Sequence, residues 1–416
     1  MSQKHKESKE QPEKEGFFSR KIYPLLEVAT RTELENSLRQ IWARGPEKAN
    51  YKKAVLLTVT TTNKCSLKCG HCFEEAGPEG RDFLDTGRVE RLAEESVDLL
   101  KDYDDNSIRI TGGDPILHLD IFRIVNAFSK RLKELKCSEL DVETNGWWAT
   151  DNIKTRDIVM GLKDSGATLL SMTVDYWHRK QRKFPNYEHF ERIDKVAKIV
   201  GLNFRMISVG MPSAATDKDD KEDGLFIPEV TPIGRGRSLP EEYWGYHLTC
   251  RAAGCRLIPP TQAIVVGPRL QHDEITIGPN GNVYACNSGK AFKDASLAIG
   301  NIYDNSLPDI VKKQDNFILK ILREKGLRAL TAAKGLSLRQ HWEMYDKFSP
   351  CGLCHEMLRN HGKEITKRLK GDYSSIQKIL SKEKLATRLA THAIMMFGKK
   401  RVLDRIPKIF SGGSPF

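Results

Sequence analysis

Nowhere in the 416-residue chain do about 18 apolar residues run uninterrupted, so a transmembrane helix is not expected. The start, Met1 to Gln11, lacks the apolar core of a signal peptide, and Met1 to Glu15 reads as a mixed-charge leader. No long internal repeat occurs. Cysteine is scarce, odd in number and clustered: nine residues that do not form the scattered even set of a disulfide framework. Metal sites in a reducing compartment, the cytoplasm, are the expectation instead. Hydrophobic residues make up 39%, low for a globular protein but too many for disorder throughout. The net charge of +12 is not spread evenly, because His355 to Phe416 holds 14 Lys and Arg against 5 Asp and Glu. A nucleic-acid face is therefore conceivable only at the C-terminus, where a solvated helical face explains the charge equally well. Nucleic acid is not the expected partner.

What is present begins with Thr61-Thr-Asn-Lys-Cys65-Ser-Leu-Lys-Cys69-Gly-His-Cys72-Phe73, directly after the apolar run Ala54–Thr60. Thiols this close on one loop can converge on a single metal centre. Three ligands on a four-iron cluster leave one iron open for chemistry, whereas a closed four-ligand site holds structure or passes electrons. A structural zinc would need a fourth ligand. His71 is available, but binding through both His71 and its neighbour Cys72 would strain the loop.

Residues 1–50 read as a tail plus an amphipathic helix, with Thr32 and Glu35 in capping-box spacing and Leu34, Leu38, Ile41 and Trp42 on one face. From about Tyr51 to Thr231 the pattern alternates between strand and helix. β-rich runs fall at Ala54–Thr60, Ser107–Thr111, Leu140–Glu143, Thr168–Val174 and Phe204–Val209, with helical periods such as Thr86–Leu100 and Ile121–Leu135 between them. Repeated βα units predict an α/β fold with a parallel sheet, and five or six of them suit a partial (β/α)6 barrel. The active site should then lie at the C-terminal ends of the strands. Met211 to Gly224 reads as a polar surface loop. Farther on, Asn280-Gly281 separates two alternating runs and predicts a hairpin between Glu274 and Cys286. Ile376, Ile379, Leu380, Leu385 and Leu389 keep helical spacing in a basic tail that could dock on the protein itself, on an anionic membrane or on nucleic acid.

Three further segments end predicted strands: Ile110-Thr-Gly112-Gly113-Asp114-Pro115, Glu143-Thr-Asn145-Gly146 and Ser171-Met-Thr-Val-Asp175. Gly-Gly-Asp-Pro alone is equally an ordinary turn, though two glycines let a backbone approach a ligand closely. Tyr176-Trp-His178-Arg179 follows the last of these segments. His178 or Arg179 could bind a carboxylate or move a proton, or either could simply lie at the surface.

Taken together, Cys-x3-Cys-x2-Cys after the first strand, Gly-Gly-Asp-Pro after the second and Thr-Asn-Gly after a later one resemble the radical S-adenosylmethionine (SAM) enzymes. Pro232-Ile-Gly234-Arg235-Gly236 resembles the Pro-x-Gly-Arg segment of the branch with C-terminal auxiliary clusters. Gly281-x4-Cys286 and Gly300-Asn-Ile-Tyr resemble the start of a SPASM or twitch extension, and Cys351-Gly-Leu-Cys354 follows. The resemblance spans roughly Val55 to Cys354 and divides the chain into a barrel (51–239), an auxiliary-cluster region with a β-hairpin and helices (240–356) and a basic helical tail (357–416).

This likeness implies a [4Fe-4S] cluster on Cys65, Cys69 and Cys72, with S-adenosylmethionine on the open iron. Gly112, Gly113 and Asp114 would line the site of its amino group, with Asn145, Ser171 and Asp175 near the ribose and carboxylate. His71 replaces the aromatic residue that family members often carry before the last cysteine. It also implies one auxiliary [4Fe-4S] cluster on Cys286, Cys351, Cys354 and either Cys250 or Cys255. The two further cysteines of a full SPASM pattern are missing. For Cys351 and Cys354 a zinc knuckle or redox pair is the competing reading, and Cys137 reads as a small buried hydrophobe. The implied activity is radical oxidation or maturation of a ribosomally made peptide, or of a small molecule in cofactor biosynthesis. A basic binding protein with structural metal stands outside both. The implied partners are a reductant such as flavodoxin or ferredoxin and a separate peptide-recognition protein, since the N-terminal segment is too short for a winged-helix leader binder.

Overall fold

The structure is a computed structural model. It describes residues 52–209, 224–240 and 270–383, apart from 102, 104, 136, 180, 182–186, 228–229, 231–232, 287–296 and 314–315. The expected helix around Thr32, the Met211–Gly224 loop, Cys250, Cys255 and the tail beyond 383 lie outside the described residues. So do the side chains of Cys137, Tyr176 and Arg179.

Six strands follow one another, the first five with helices between them: β1 (Lys52–Thr60), β2 (Asp105–Thr111), β3 (Cys137–Thr144), β4 (Leu169–Thr173), β5 (Asn203–Val209) and β6 (Gly224–Ile227). All six pair in parallel, in spatial order β6-β5-β4-β3-β2-β1. The helices are α1 (Thr86–Leu100), α2 (Ile121–Leu132), α3 (Asn152–Asp164), the single turn α4 (Tyr176–Arg179) and α5 (Tyr187–Val200). This is the partial parallel barrel expected from the repeated βα pattern.

The sheet separates into two faces because side chains alternate along a strand. Leu57, Val59, Ile108, Ile110, Leu140, Val142, Leu170 and Met172 are buried in the main core with Val89, Leu92, Ile124 and Phe128 of the helices. Opposite, the face turned from the helices carries Thr58, Arg109, Asp141, Ser171 and Arg205. The apolar stripe of α1 is fixed at its start by Asp85, whose carboxylate accepts from the Gly87 amide; such a cap contributes about 1 kcal/mol.

The hairpin is not a separate sheet. Its first strand, β7 (Leu270–Ile277), pairs in parallel with β1, and β8 (Asn282–Tyr284) and β9 (Ala298–Asn301) extend the sheet antiparallel. Between β7 and β8, Gly281 turns the chain at φ 81°, a conformation that glycine adopts without cost. Beyond come α6 (Leu307–Lys313), α7 (Phe317–Lys325), α8 (Leu327–Lys334) and the long α9 (Leu338–Gly371).

α9 opens on a capping box formed by Ser337 and Gln340. It runs unbroken through residues 356 and 357, where the sequence suggested a boundary, and Cys351-Gly-Leu-Cys354 occupies one of its turns. Helix continues over 373–383, with Ile376 buried in the core and Glu383 paired to the buried Arg328 at 2.8 Å. As far as 383, the tail therefore docks on the protein itself. No helix among the described residues is long and apolar enough to cross a membrane.

Candidate radical and metal centre

The cysteine loop and the three segments read as strand ends gather at the C-terminal ends of parallel strands, with Ser171 itself inside β4. The cysteine loop follows β1, Gly112-Gly113-Asp114 follows β2, Asn145 follows β3 and Asp175 follows β4. Cys65 and Cys69 are buried with Leu67 and Ala76, and Cys72 packs against them. All three are free thiols.

The loop is fixed from the neighbouring strand end. The Gly113 amide donates to the Thr62 carbonyl at 2.7 Å and the Asp114 amide to the Lys64 carbonyl at 2.9 Å. Gly112 has φ 149°, and a Cβ there would meet the Thr62 carbonyl; one on Gly113 would meet the Lys64 carbonyl. Glycines are required here because backbone packs on backbone. Although Gly112, Gly113 and Asp114 were expected to line a ligand site, the amides of Gly113 and Asp114 are committed to the cysteine loop.

Asp114 is fully buried and accepts from Thr144 Oγ1 (2.8 Å), the Asn145 amide (3.1 Å) and the Ile116 amide (3.0 Å). Burial outweighs these donors and pushes its carboxyl up to about 6. An acid whose pKa is higher folded than unfolded binds the extra proton in the native state, so stability falls as pH rises. The window runs from the ordinary 3.8 to about 6, and the loss is about 3 kcal/mol in all. In denaturant titrations of the metal-free protein, Asp114→Asn should flatten that slope between pH 4 and 6. An unchanged slope would show that Asp114 is not its source.

Asn145 completes the link. Its Nδ2 lies 3.4 Å from both Cys65 Sγ and Ser66 Oγ, and its Oδ1 accepts from the Trp147 amide at 2.9 Å. The Leu67 amide also donates to Cys65 Sγ, at 3.4 Å. Two N–H donors on one sulfur suit a thiolate ligand, whose charge such bonds stabilise. Burial, with Asp114 adding to it, pushes the Cys65 thiol up, and burial does the same to Cys72. Three soft sulfur donors buried on one loop, one already accepting two N–H groups, form a donor set that a thiophilic metal centre would bind as thiolates, displacing their protons. The residues present fit an iron–sulfur cluster.

Arg235 closes the loop from the other side. It lies on a 3₁₀ turn, Gly234–Ser238. Its Nε donates to the Cys69 carbonyl (2.8 Å), its Nη2 to the Ala76 carbonyl (2.7 Å) and its amide to the Cys72 carbonyl (3.1 Å). Glu75 holds the left-handed φ of 56°, rare for a side chain with a Cβ, and pairs with Arg359 of α9 at 3.1 Å.

Asp175 is buried and takes the His178 amide (2.9 Å) and His178 Nδ1 (2.8 Å) on one oxygen, with His71 Nε2 3.4 Å from the other. Burial would lower His178, but the Asp175 carboxylate drives it well above its ordinary value; burial lowers His71 to about 4. Burial would raise Asp175, and the His178 charge holds it below the usual range. Ligand atoms of His71, Asp175 and His178 lie within 4.8 Å of one another, so the group can bind a metal or relay a proton. His71 also stacks on Trp177, with ring centroids 6.2 Å apart.

Ser171 belongs to a different arrangement. Its hydroxyl accepts from Arg205 Nη2 at 3.2 Å, and the same nitrogen reaches Asp141 at 2.9 Å across β4. Arg109 Nε meets Asp141 from β2 at 3.2 Å. Burial pushes the Asp141 carboxyl up, with Arg109 opposing it. The sequence expectations did not include this charged layer. Its signal was one ionised residue between apolar neighbours, in Ile108-Arg109-Ile110 and Leu140-Asp141-Val142.

Among the auxiliary cysteines, Cys286 is buried just past β8, while Cys351 and Cys354 are half-buried one turn apart on α9. Their thiolate chemistry suits a second iron–sulfur group. Cys250 and Cys255, the alternatives for its fourth ligand, lie outside the described residues.

Residues 59–217 match the radical SAM superfamily, and residues 270–355 match SPASM, an iron–sulfur cluster-binding domain. GTP 3',8-cyclase of Listeria monocytogenes serotype 4b is 26% identical over 207 residues, 45% of this chain and 57% of that one. The enzyme of the same name from Bradyrhizobium diazoefficiens is 27% identical over 195 residues, 43% and 53% of the two chains. The chain therefore spans little more than half the length of these curated relatives. Among solved structures, anSMEcpe with bound AdoMet aligns at 13% identity and TM-score 0.44, over 79% of this chain and 99% of that one. Streptococcus suis SuiB bound to S-adenosylmethionine aligns at 14% and 0.36, over 74% and 79%. Both likenesses are too distant to bear on substrate or partner. The radical SAM domain implies a [4Fe-4S] cluster and S-adenosylmethionine, and the SPASM domain an auxiliary iron–sulfur cluster. With a three-thiol loop at the end of the first barrel strand and a second match joined to the same sheet, this chain carries a radical SAM domain followed by a SPASM domain.

Proposed function

We propose that this protein is an enzyme that reductively cleaves S-adenosylmethionine, abstracts hydrogen from a substrate and so oxidises, crosslinks or matures a ribosomally made peptide in the cytoplasm. The supporting observation is the buried three-thiol loop, with two N–H donors on Cys65 Sγ and the ends of β2 and β3 packed against it. When bound on Cys65, Cys69 and Cys72, a [4Fe-4S] cluster with one open iron supplies the electron that splits S-adenosylmethionine into methionine and a 5′-deoxyadenosyl radical.

The chain's own residues bind, orient and shield. Gly112 and Gly113 offer the cosubstrate amino group their carbonyls, because their strand end is already fastened through its amides. Asn145 holds Cys65 and stands at the next strand end, beside the ribose and carboxylate. Ser171 and Asp175 act through the groups they bind, Arg205 and His178. The charged layer of Arg109, Asp141 and Arg205 gives the face opposite the helices a polar lining for a substrate held away from water.

Cys286, Cys351 and Cys354, with Cys250 or Cys255, hold one auxiliary cluster, and electrons come from a flavodoxin or ferredoxin. The SPASM match favours a peptide substrate, presented by a separate recognition protein. Similarity to GTP 3',8-cyclases favours a second reading, a small-molecule reaction of cofactor biosynthesis. Those alignments cover less than half of this chain, so they speak for shared cofactor chemistry before shared substrate.

Anaerobic reconstitution tests the common core. The protein should take up about four iron per triad and release 5′-deoxyadenosine with a reductant. Colourless protein carrying only zinc would overturn the assignment in favour of a metal-stabilised binding protein. Incubating the reduced protein with cell extract, then searching by mass for a peptide lighter by two hydrogens, separates the two substrate readings.

A further inference from the structure

We infer that Arg235 is a positioning residue for the radical cluster, fixing the carbonyls of the cysteine loop and keeping a permanent positive charge beside it. This inference rests on the reading of Cys65, Cys69 and Cys72 as cluster ligands. A loop that must present three thiols in fixed geometry cannot rely on regular secondary structure, so its carbonyls need outside donors. One residue provides three of them. The two guanidinium N–H groups reach the carbonyls of Cys69 and Ala76, on either side of Cys72, while the backbone amide takes the carbonyl of Cys72 itself.

Arg235 is itself held in place. Gly234 has φ 54°, and a Cβ there would meet the Phe73 carbonyl, so only glycine lets this backbone press on the loop. Two residues on, Arg237 forms an ion pair with Glu356, and its guanidinium lies 5.3 Å from the centroid of the Phe348 ring. Glu356 and Phe348 are both on α9. The turn is thus anchored on the helix that carries Cys351 and Cys354, and it reaches the first cysteine loop from there.

Two consequences can be separated. The planar fork reaches the two carbonyls from two separate nitrogens held in fixed geometry, which the single nitrogen of lysine does not reproduce. The charge acts independently of the fork, because a nearby cation favours the more reduced, more negative form of a cluster and raises its potential. Other charged groups also reach the loop: His178, paired to Asp175 and in contact with Cys69, Asp114 beside Cys65, Glu74 near Cys72, Glu75 paired to Arg359 and Glu79 paired to Lys68. All of them are the same in wild type and variants, so a change in potential on losing the guanidinium reports Arg235.

The test compares full-length wild type, Arg235→Lys and Arg235→Gln after anaerobic reconstitution. The readouts are the rate of iron loss to a chelator and the midpoint potential of the electron paramagnetic resonance signal that S-adenosylmethionine perturbs. Arg235→Gln should lose iron faster and titrate at a more negative potential. Arg235→Lys should lose iron as fast as Arg235→Gln but keep a potential close to wild type. Melting of the metal-free proteins separates these effects from misfolding. Variants that match wild type in both readouts would overturn the role of Arg235 alone. A wild-type protein that binds no cluster on the triad would overturn the ligand assignment beneath it.

Discussion

Replacing Cys69 by alanine should abolish reductive cleavage of S-adenosylmethionine, whereas Cys354→Ala should leave cleavage without substrate largely intact. Cys69 is the middle thiol of the loop, buried, with its carbonyl fixed by Arg235. Two remaining thiols cannot hold a cubane with one open iron, so the variant should lose about four iron atoms per chain. Cys354 stands on α9, a helix tied to the loop through Arg359–Glu75 and to the turn of Arg235 through Arg237–Glu356. On the proposed ligand set, losing it should empty one position of the auxiliary centre and stop product formation while sparing 5′-deoxyadenosine release. Iron content, 5′-deoxyadenosine by chromatography and product by mass, measured on the same preparations, decide the matter. If the two variants were equally inactive in the cleavage assay, the division between a radical and an auxiliary centre would be wrong.

The barrel was legible because its signal is periodic. The helix at Thr86–Leu100 falls where its apolar spacing put it, and the five expected strands each correspond to an observed one, because apolar runs between turn residues encode burial directly. The thiol loop was legible for another reason: spacing alone brings three sulfurs onto one short segment. What the sequence concealed is how the polar atoms at the strand ends are used. Gly112-Gly113-Asp114 reads as a ligand cradle, yet its amides hold the cysteine loop, a contact between residues about fifty positions apart that no local pattern reports. Ser171 and Asp175 were visible as small polar groups at a strand end. Their partners, Arg205 across the sheet and His71 within the cysteine motif, depend on register and on loop packing. The hairpin around Asn280-Gly281 was found, but its parallel pairing to β1 was not, since turn chemistry sets the partner within a hairpin and says nothing of the outer neighbour.

Gly112→Ala should unfold the cysteine loop even in protein that has never seen iron. Two costs coincide at this position. The backbone has φ 149°, a conformation that residues with a Cβ rarely adopt, and the added carbon would be driven into the Thr62 carbonyl. That carbonyl already accepts from the Gly113 amide at 2.7 Å, so it cannot retreat without breaking the bond that ties the loop to β2. A forced backbone of this kind costs on the order of 1–3 kcal/mol before the collision is counted. The melting temperature of the metal-free protein should therefore fall, and iron uptake on reconstitution should fall with it. A residue that only contacted the cosubstrate would behave differently, weakening S-adenosylmethionine binding while leaving the metal-free melting curve unchanged. An unchanged melting curve for Gly112→Ala would thus transfer this glycine from the scaffold of the loop to the ligand site. That outcome would also weaken the case that the end of β2 positions the thiols, since the same backbone contacts carry both claims.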